Sequence, residues 1–358
     1  MSRPVRVGAV QIGGDAPISV QSMTNTDTRN VAATVAQIQA LAAAGADLVR
    51  ISCPDQESAQ AVGAIRAQVT VPLIADIHFD HRLALIALQQ GIDGLRINPG
   101  NIGSQQRVAE VVQAARERQV PIRIGVNAGS LERDLLSRYG EPCAEAMVES
   151  ALYHVRLLEA LNYPEIKISL KASHVGMTVA AYRLLARQVE YPLHLGITEA
   201  GGLVAGTVKS AIGLGLLLVE GIGDTLRVSL STDPVEEVRV GFEILKTLGL
   251  RSRGVNIVSC PTCARQTFAV IDVVAQLEKR LSHIQESLTV SVIGCIVNGP
   301  GEARESAVGL VGGTGGHLLY RNGQAEAKVA DAEALETLVR EVEAAAARMR
   351  QAEGEEQA

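Results

Sequence analysis

Between Ser19 and Leu230 a short apolar run followed by a stretch of helical spacing recurs eight times, and few folds accommodate that beat. The predicted strands are Ser19–Met23, Leu48–Cys53, Pro72–Ile77, Gly94–Asn98, Ile122–Asn127, Ile166–Lys171, Leu193–Thr198 and Thr225–Leu230, after a hairpin candidate over Val5 to Ile18. Val31, Val35, Ile38, Leu41 and Ala42 make one helical stripe that Gly45 stops. Asp55 suits the N-cap of the next helix, and Pro234 fits a first helical turn. Units recurring every roughly 22 to 45 residues are what an α/β barrel with eight strands requires. A doubly wound sheet needs fewer strands, and no G-x-G-x-x-G follows the first one. The predicted fold is a TIM-type (β/α)8 barrel over residues 1–248.

The strands carry a second signal. In Ile122-Arg123-Ile124-Gly125-Val126-Asn127 the apolar residues share one parity and the polar or small ones the other, and 166–171 and 226–231 repeat the pattern. The apolar parity packs against the helices, which turns Arg123, Asn127, Lys171, Arg227 and Ser229 into the barrel or to its mouth. An ordinary barrel lumen is filled with branched apolar side chains. Arg50, Asp76, His78, Arg96 and Asn98 join from the second to fourth strands, and Glu199 follows the seventh. Arg50, Arg96, Arg123, Lys171 and Arg227 thus face only Asp76 and Glu199, so a small, highly anionic ligand such as a diphosphate is expected there. Gly201-Gly202 suits backbone amides approaching phosphate. A lone arginine is more often a salt-bridge partner; the weight lies on five at matching strand ends. His194 reads as structural and low in the barrel, and Cys53 and Cys143 as core or surface thiols.

Beyond Arg253 the rhythm changes. Val255–Ser259 reads as a strand, Cys263 as the start of a helix through Phe268, Ile271, Val274, Leu277 and Leu281, and Leu288–Val297 as a strand carrying Cys295. A hairpin of Gly309–Val311 with Leu318–Arg321 and a last helix capped by Asp331 complete a small α+β domain over residues 254–350, leaving 351–358 as a flexible acidic tail. Cys260-Pro-Thr-Cys263 sets two thiolates at ligand spacing, and Cys295 supplies a third by folding. No histidine sits at ligand spacing, so Glu302, reached through Asn298-Gly-Pro-Gly301, is the best fourth ligand. An iron–sulfur cluster is the favoured occupant. Structural zinc, which prefers Cys or His in all four places, is the alternative.

Composition removes other classes. A net charge of −6 with no Lys/Arg run, no Trp and few Phe argues against a nucleic-acid surface. No apolar run is long enough for a bilayer, and Met-Ser-Arg-Pro opens no secretory signal. A cytoplasmic protein with neither membrane nor nucleic-acid partners is expected. Five cysteines then read as ligands or core thiols, not a disulfide frame. On the residues alone two rivals stand beside an iron–sulfur enzyme: a zinc-stabilised pterin- or phosphate-binding transferase barrel, and a non-enzymatic iron–sulfur scaffold. A radical adenosylmethionine enzyme is disfavoured, since no cysteine triplet lies near the first strand.

Seven stretches carry a family resemblance: Val20-Gln-Ser-Met-Thr-Asn25, Ala75-Asp-Ile-His-Phe-Asp80, Leu95-Arg-Ile-Asn-Pro-Gly-Asn101, Arg123 to Ser130, Gly196-Ile-Thr-Glu-Ala-Gly-Gly202, Ser259-Cys-Pro-Thr-Cys-Ala-Arg265 and Cys295 to Ala303. Together they closely resemble the bacterial 4-hydroxy-3-methylbut-2-enyl diphosphate synthases of the non-mevalonate isoprenoid pathway, in the two-domain form, with no departure at a motif position. The resemblance implies a [4Fe-4S] cluster on Cys260, Cys263, Cys295 and Glu302. It implies two-electron reductive ring opening of 2-C-methyl-D-erythritol 2,4-cyclodiphosphate, with loss of water, on electrons from flavodoxin or ferredoxin. Arg50, Arg96, Arg123 and Lys171 would hold the diphosphate with Asn127 and Ser229 beside them; Asn98, a strand-end residue of one of these motifs, is expected to join them. Glu199 would be the acid near the ring, and Asp76 and His78 would line the pocket. It also implies a head-to-tail homodimer.

Overall fold

The computed structural model describes residues 1–260 and 263–356, with side chains for all of these but 99–100 and 353–356; Pro261 and Thr262 of the expected Cys-x-x-Cys turn, and residues 357–358 of the expected tail, lie outside the described residues. The chain divides into two compact units, Met1–Arg251 and Ser252–Ala358.

The first unit is a (β/α)8 barrel. Its strands are β1 (Ser19–Met23), β2 (Leu48–Ser52), β3 (Leu73–Asp76), β4 (Gly94–Ile97), β5 (Ile122–Asn127), β6 (Ile166–Lys171), β7 (His194–Leu195) and β8 (Thr225–Leu226). They pair in parallel in the order β6-β5-β4-β3-β2-β1-β8-β7, and a bridge between Ile168 and Leu193 brings β7 back to β6. Helices follow the strands with the predicted punctuation. Gly45 ends the Val31–Ala44 helix at φ 109°, a left-handed position that suits glycine. Asp55 and Ser58 form a reciprocal cap on Gln56–Arg66, and Asp233 caps the helix that Pro234 opens. The core lies between strands and helices, where residues such as Ile38, Val49, Ile51, Ile124, Ile168 and Leu214 are fully buried. Each contributes about 1.5–3 kcal/mol. A hairpin of Val5–Val7 and Val10–Ile12 packs Val7 and Ile12 onto Leu48 and Ile74 at the N-terminal ends of β2 and β3.

β7 and β8 are shorter than predicted, ending at Leu195 and Leu226. The backbone there bonds elsewhere: Leu230 N–H donates to the Glu237 carboxylate at 3.0 Å, and Thr198 N–H to Ala172 O at 3.3 Å.

The second unit is a five-stranded sheet in sequence order: β9 (Val255–Ser259), β10 (Leu288–Ile293) and β11 (Val308–Val311) are parallel, then β12 (His317–Arg321) and β13 (Gln324–Val329) antiparallel. Helices Val270–Arg280 and Ala334–Glu356 flank it, sharing a core of Leu277, Val290, Leu310, Leu338 and Val342. The helix expected from Cys263 begins at Val270, because residues 263–269 bond as turns, Gln266 N–H to Cys263 O and Thr267 N–H to Gly294 O. Ile271, expected on its buried stripe, is 66% exposed. β10 ends at Ile293, so Cys295 sits past the strand. Asp331 does not cap the last helix; it lies in a 3-10 turn with its carboxylate 3.1 Å from His317 Nε2. The supposed tail is helical as far as Glu356, since Gln, Ala and Glu extend a helix readily and one Gly354 costs only about 1 kcal/mol.

Candidate active site

Inward parity on the barrel strands gathers a set of buried charges. Register pairs Asp76 with Arg96, Arg96 with Arg123 and Arg123 with Lys167, so one row crosses β3 to β6. Asp76 is its one carboxylate. Arg96 Nη1 donates to Asp76 Oδ1 at 3.1 Å and lies 3.1 Å from His78 Nε2, while Arg50 Nε is 3.7 Å from Asp76 Oδ2. Burial by itself would push the Asp76 carboxyl up; Arg50, the His78 hydrogen bond and Arg96 outweigh it and hold the group well below the carboxylate range. Arg50 is pulled down to about 10 by burial, against the attraction of Asp76 and with the repulsion of Arg227 and Arg96.

Arg123 is only 1% exposed and donates from Nη1 to Ser169 Oγ at 3.4 Å, while its Nε and Nη2 have no hydrogen-bond partner among the described residues. Burial, then the repulsion of Arg50 and Arg96, pushes it well below its ordinary value. Lys171, in register with Asn127, is displaced the same way by burial and by Arg123, Arg50, Arg227 and Arg96. Glycines make the room. A Cβ on Gly125 would stand 2.5 Å from Arg96 Nε, and one on Gly196 would stand 2.7 Å from Lys171 Nζ.

Asn98 is also buried, Asn127 and Ser229 are half-buried, and His78 and Glu199 are exposed. Glu199, expected at the end of the seventh strand, lies in the loop past Leu195 and pairs with none of these cations among the described residues; it sits at φ 53°, a conformation uncommon for a residue other than glycine. The second buried carboxylate is one the sequence reading overlooked. Glu237, from the Pro234–Thr247 helix, accepts from Arg227 Nε and Nη2 at 3.2 Å and from Ser22 Oγ at 3.2 Å. Arg227 is therefore an ion-paired frame residue. Lys167, also overlooked, is 2% exposed and has no carboxylate partner among the described residues. Its signal was present: it shares the inward parity of Ser169 and Lys171. His194 is buried with Nδ1 3.3 Å from Thr225 Oγ1. Cys53 is buried, its thiol pushed up to about 12 by burial and Asp76, and Cys143 is half-buried.

In the second unit two of the three candidate thiols lie at one end of the sheet. β9 and β10 are parallel with Ser259 opposite Val292, so Cys260 and Cys295 leave neighbouring strands at the same end. Cys260 Sγ accepts from Gly294 N–H at 3.3 Å. The Cys295 thiol is held below its ordinary value by the Val297 N–H, opposed by burial, and further by the Asn298 N–H and Arg265. Cys263 is exposed, and Glu302 stands exposed on the short Gly299–Arg304 helix, which packs on β10 and β11. Among the described residues no three His, Cys, Asp or Glu side chains converge closely enough to grip a single metal ion. The donor set itself, three thiols with N–H···S bonding and a lowered thiol among them plus one carboxylate, fits an iron–sulfur cluster.

Residues 2–242 match the GcpE TIM-barrel domain and residues 256–344 the GcpE protein C-terminal domain. The chain belongs to the GcpE family. It is 74% identical over 98% of its length to the 4-hydroxy-3-methylbut-2-en-1-yl diphosphate synthase (flavodoxin) of Magnetococcus marinus, covering 95% of that protein. To the same-named protein of Geobacter sulfurreducens it is 64% identical over 96% of its length and 97% of the other. Among solved structures, Yersinia pestis dihydropteroate synthase is similar at a TM-score of 0.47 and 15% identity, over 69% of this chain and 98% of that one. Within this GcpE chain, among the described residues, no helix is long and apolar enough to cross a membrane.

Proposed function

We infer that the chain is a 4-hydroxy-3-methylbut-2-en-1-yl diphosphate synthase. It takes 2-C-methyl-D-erythritol 2,4-cyclodiphosphate, two electrons and two protons to (E)-4-hydroxy-3-methylbut-2-enyl diphosphate and water. The observation that carries the reading is the barrel interior, where Arg50, Arg96, Arg123 and Lys171 are all buried and, among the described residues, Asp76 is the one carboxylate paired with any of them. Buried cations in that excess are costly without an anion, and a small diphosphate supplies one. Family membership and the names of the relatives agree with it.

In this reading Arg50, Arg96, Arg123 and Lys171 bind the diphosphate, with Asn98, Asn127 and Ser229 as neutral hydrogen-bonding groups. Asp76 positions Arg50 and Arg96, which spares both guanidinium groups a search of rotamers when the ligand arrives. These fixed donors favour the negative charge that develops on phosphate oxygen as the ring C–O bond breaks. Glu199 delivers the proton that lets hydroxyl depart as water, and His78 stands at the rim. Cys260, Cys263, Cys295 and Glu302 hold a [4Fe-4S] cluster, and Glu302, the one carboxylate among thiolates, is its exchangeable ligand. When bound, that cluster supplies the two electrons one at a time. Flavodoxin or ferredoxin is the donor to the protein, in the cytoplasm. A head-to-tail homodimer belongs to the same reading. The exposed aliphatic ridge Val204, Val208, Ile212 and Leu216 supports self-association, and sedimentation of the holoenzyme checks it.

The test is anaerobic incubation of the purified protein with the cyclic diphosphate and reduced flavodoxin, read by phosphorus NMR, beside iron, sulfide and zinc analysis. Linear allylic diphosphate with iron and sulfide is expected. Zinc without sulfide, or cyclic diphosphate left intact, would overturn the reading.

A further inference from the structure

Lys167 has no role in the site as described, yet it ends the row Asp76–Arg96–Arg123–Lys167 that runs across four adjacent strands. It is 2% exposed. Among the described residues the charge that bears on it directly is Arg123 from β5, which Arg50 from β2 and Arg96 from β4 in turn repel; His194 from β7 faces the same group and feels Arg123, Lys171, Lys167 and Arg50. Tyr182, from the Val175–Ala186 helix, is committed elsewhere: its hydroxyl donates to His194 O and accepts from Leu170 N–H. Among the described residues the two buried carboxylates of the barrel unit are committed too, Asp76 to Arg50 and Arg96, and Glu237 of the Pro234–Thr247 helix to Arg227. Four guanidinium groups against these two carboxylates leave a formal surplus of two positive charges before either lysine is counted. A further buried ammonium ion would add to that surplus without any neighbour to offset it.

We propose that Lys167 takes up a proton when a diphosphate fills the barrel mouth, making substrate binding proton-linked through a residue that does not touch the substrate. The proposal rests on the reading of the mouth as a diphosphate site. The step forms one N–H bond on Nζ with a proton from the solvent, and nothing is oxidised or reduced. In the empty barrel, burial and then Arg123 bring Lys167 down to about 7 from its ordinary value. Two negative charges above Arg123 offset the repulsion it exerts, so the bound form holds the proton to higher pH than the free form does. Between those two values binding takes up protons, and affinity falls as pH rises through the window.

Folding is linked in the opposite sense. The unfolded chain keeps Lys167 protonated up to the lysine value of 10.5 and the folded chain only up to about 7, so stability rises with pH across that interval. Replacing the lysine by an uncharged residue should flatten that rise.

The experiment is calorimetric titration of the cyclic diphosphate into anaerobic, unreduced holoenzyme at pH 8, in two phosphate-free buffers of different ionisation enthalpy. Wild type is expected to take up a substantial fraction of about one proton per site and to lose affinity by up to about tenfold per pH unit above pH 8. Lys167→Met and Lys167→Gln are expected to bind with less uptake and a flatter pH dependence. Equal heats in both buffers for wild type would overturn the proposal alone. Full uptake persisting in a folded Lys167 variant would also overturn it and move the acceptor to Lys171. No binding by wild type at all would remove the diphosphate reading, and this proposal with it.

Discussion

The two units present their functional side chains in opposite ways. In the barrel, Arg50, Asp76, Arg96, Arg123 and Lys171 are buried on strands whose register fixes them, and most of their partners are within the same lumen. In the sheet unit, Cys263 and Glu302 are exposed and Cys260 and Cys295 half-buried, all of them on turns or a short helix past strand ends. A charged site that must bind a diphosphate benefits from donors already in place, because ordering them at the moment of binding would cost affinity. Ligands of a cluster need no such frame, since metal binding itself supplies the free energy that organises them. On the proposed reading the barrel site is built by folding, and the thiol site would be completed by its cluster.

That contrast can be broken from the cluster side first. Cys295→Ser is expected to have the largest effect: turnover falls to background and iron and sulfide content drops, while the cyclic diphosphate still binds in calorimetry. Loss of binding as well would mean that the barrel is not built independently. Glu302→Ala comes next, with the visible absorbance of the cluster retained and turnover largely lost; unchanged turnover removes Glu302 from the chemistry. Arg123→Met should act in the reverse direction, leaving the cluster spectrum intact. Removing one charge-assisted donor there weakens cyclic diphosphate binding by about 1.5–3 kcal/mol, or roughly 10- to 150-fold. Gly125→Ala probes the frame instead of the donor. Its new Cβ, 2.5 Å from Arg96 Nε, displaces that guanidinium, and affinity is expected to fall roughly tenfold with the fold intact.

Strand parity made most of the barrel site legible, since period-two alternation states which side chains turn inward before any contact is known. Glu237 was not legible in this way. It lies on a helix, where its neighbours in sequence say only that the position is buried, and its partner Arg227 is found only when the helix docks back on β8. Lys167 is legible on the same ground, since it shares the inward parity of Ser169 and Lys171. In the sheet unit the failures follow from weaker local signals. β13, Gln324-Ala-Glu-Ala-Lys-Val329, has the composition of a helix and is held as an edge strand by pairing with β12. The Asn322-Gly323 turn before it, with φ of 48° and 79°, is the hairpin signal that could have found it.

That turn offers the mildest test of the contrast between the units. Gly45 and Gly323 both hold positive φ, and alanine at either costs about 1–2 kcal/mol through backbone strain alone. Their surroundings differ. A Cβ on Gly323 would stand 2.5 Å from Arg304 O, at the end of the helix that carries Glu302, whereas Gly45 closes a helix on the outside of the barrel. Gly45→Ala is expected to lower the thermal midpoint by a few degrees and leave kcat and KM unchanged. Gly323→Ala is expected to lower kcat a few-fold with KM unchanged, because the displaced backbone of Arg304 shifts Glu302 and leaves the diphosphate donors alone. A rise in KM for Gly323→Ala would show that strain in the sheet unit reaches the barrel donors, and the division between a site made by folding and a site completed by its cofactor would then fail.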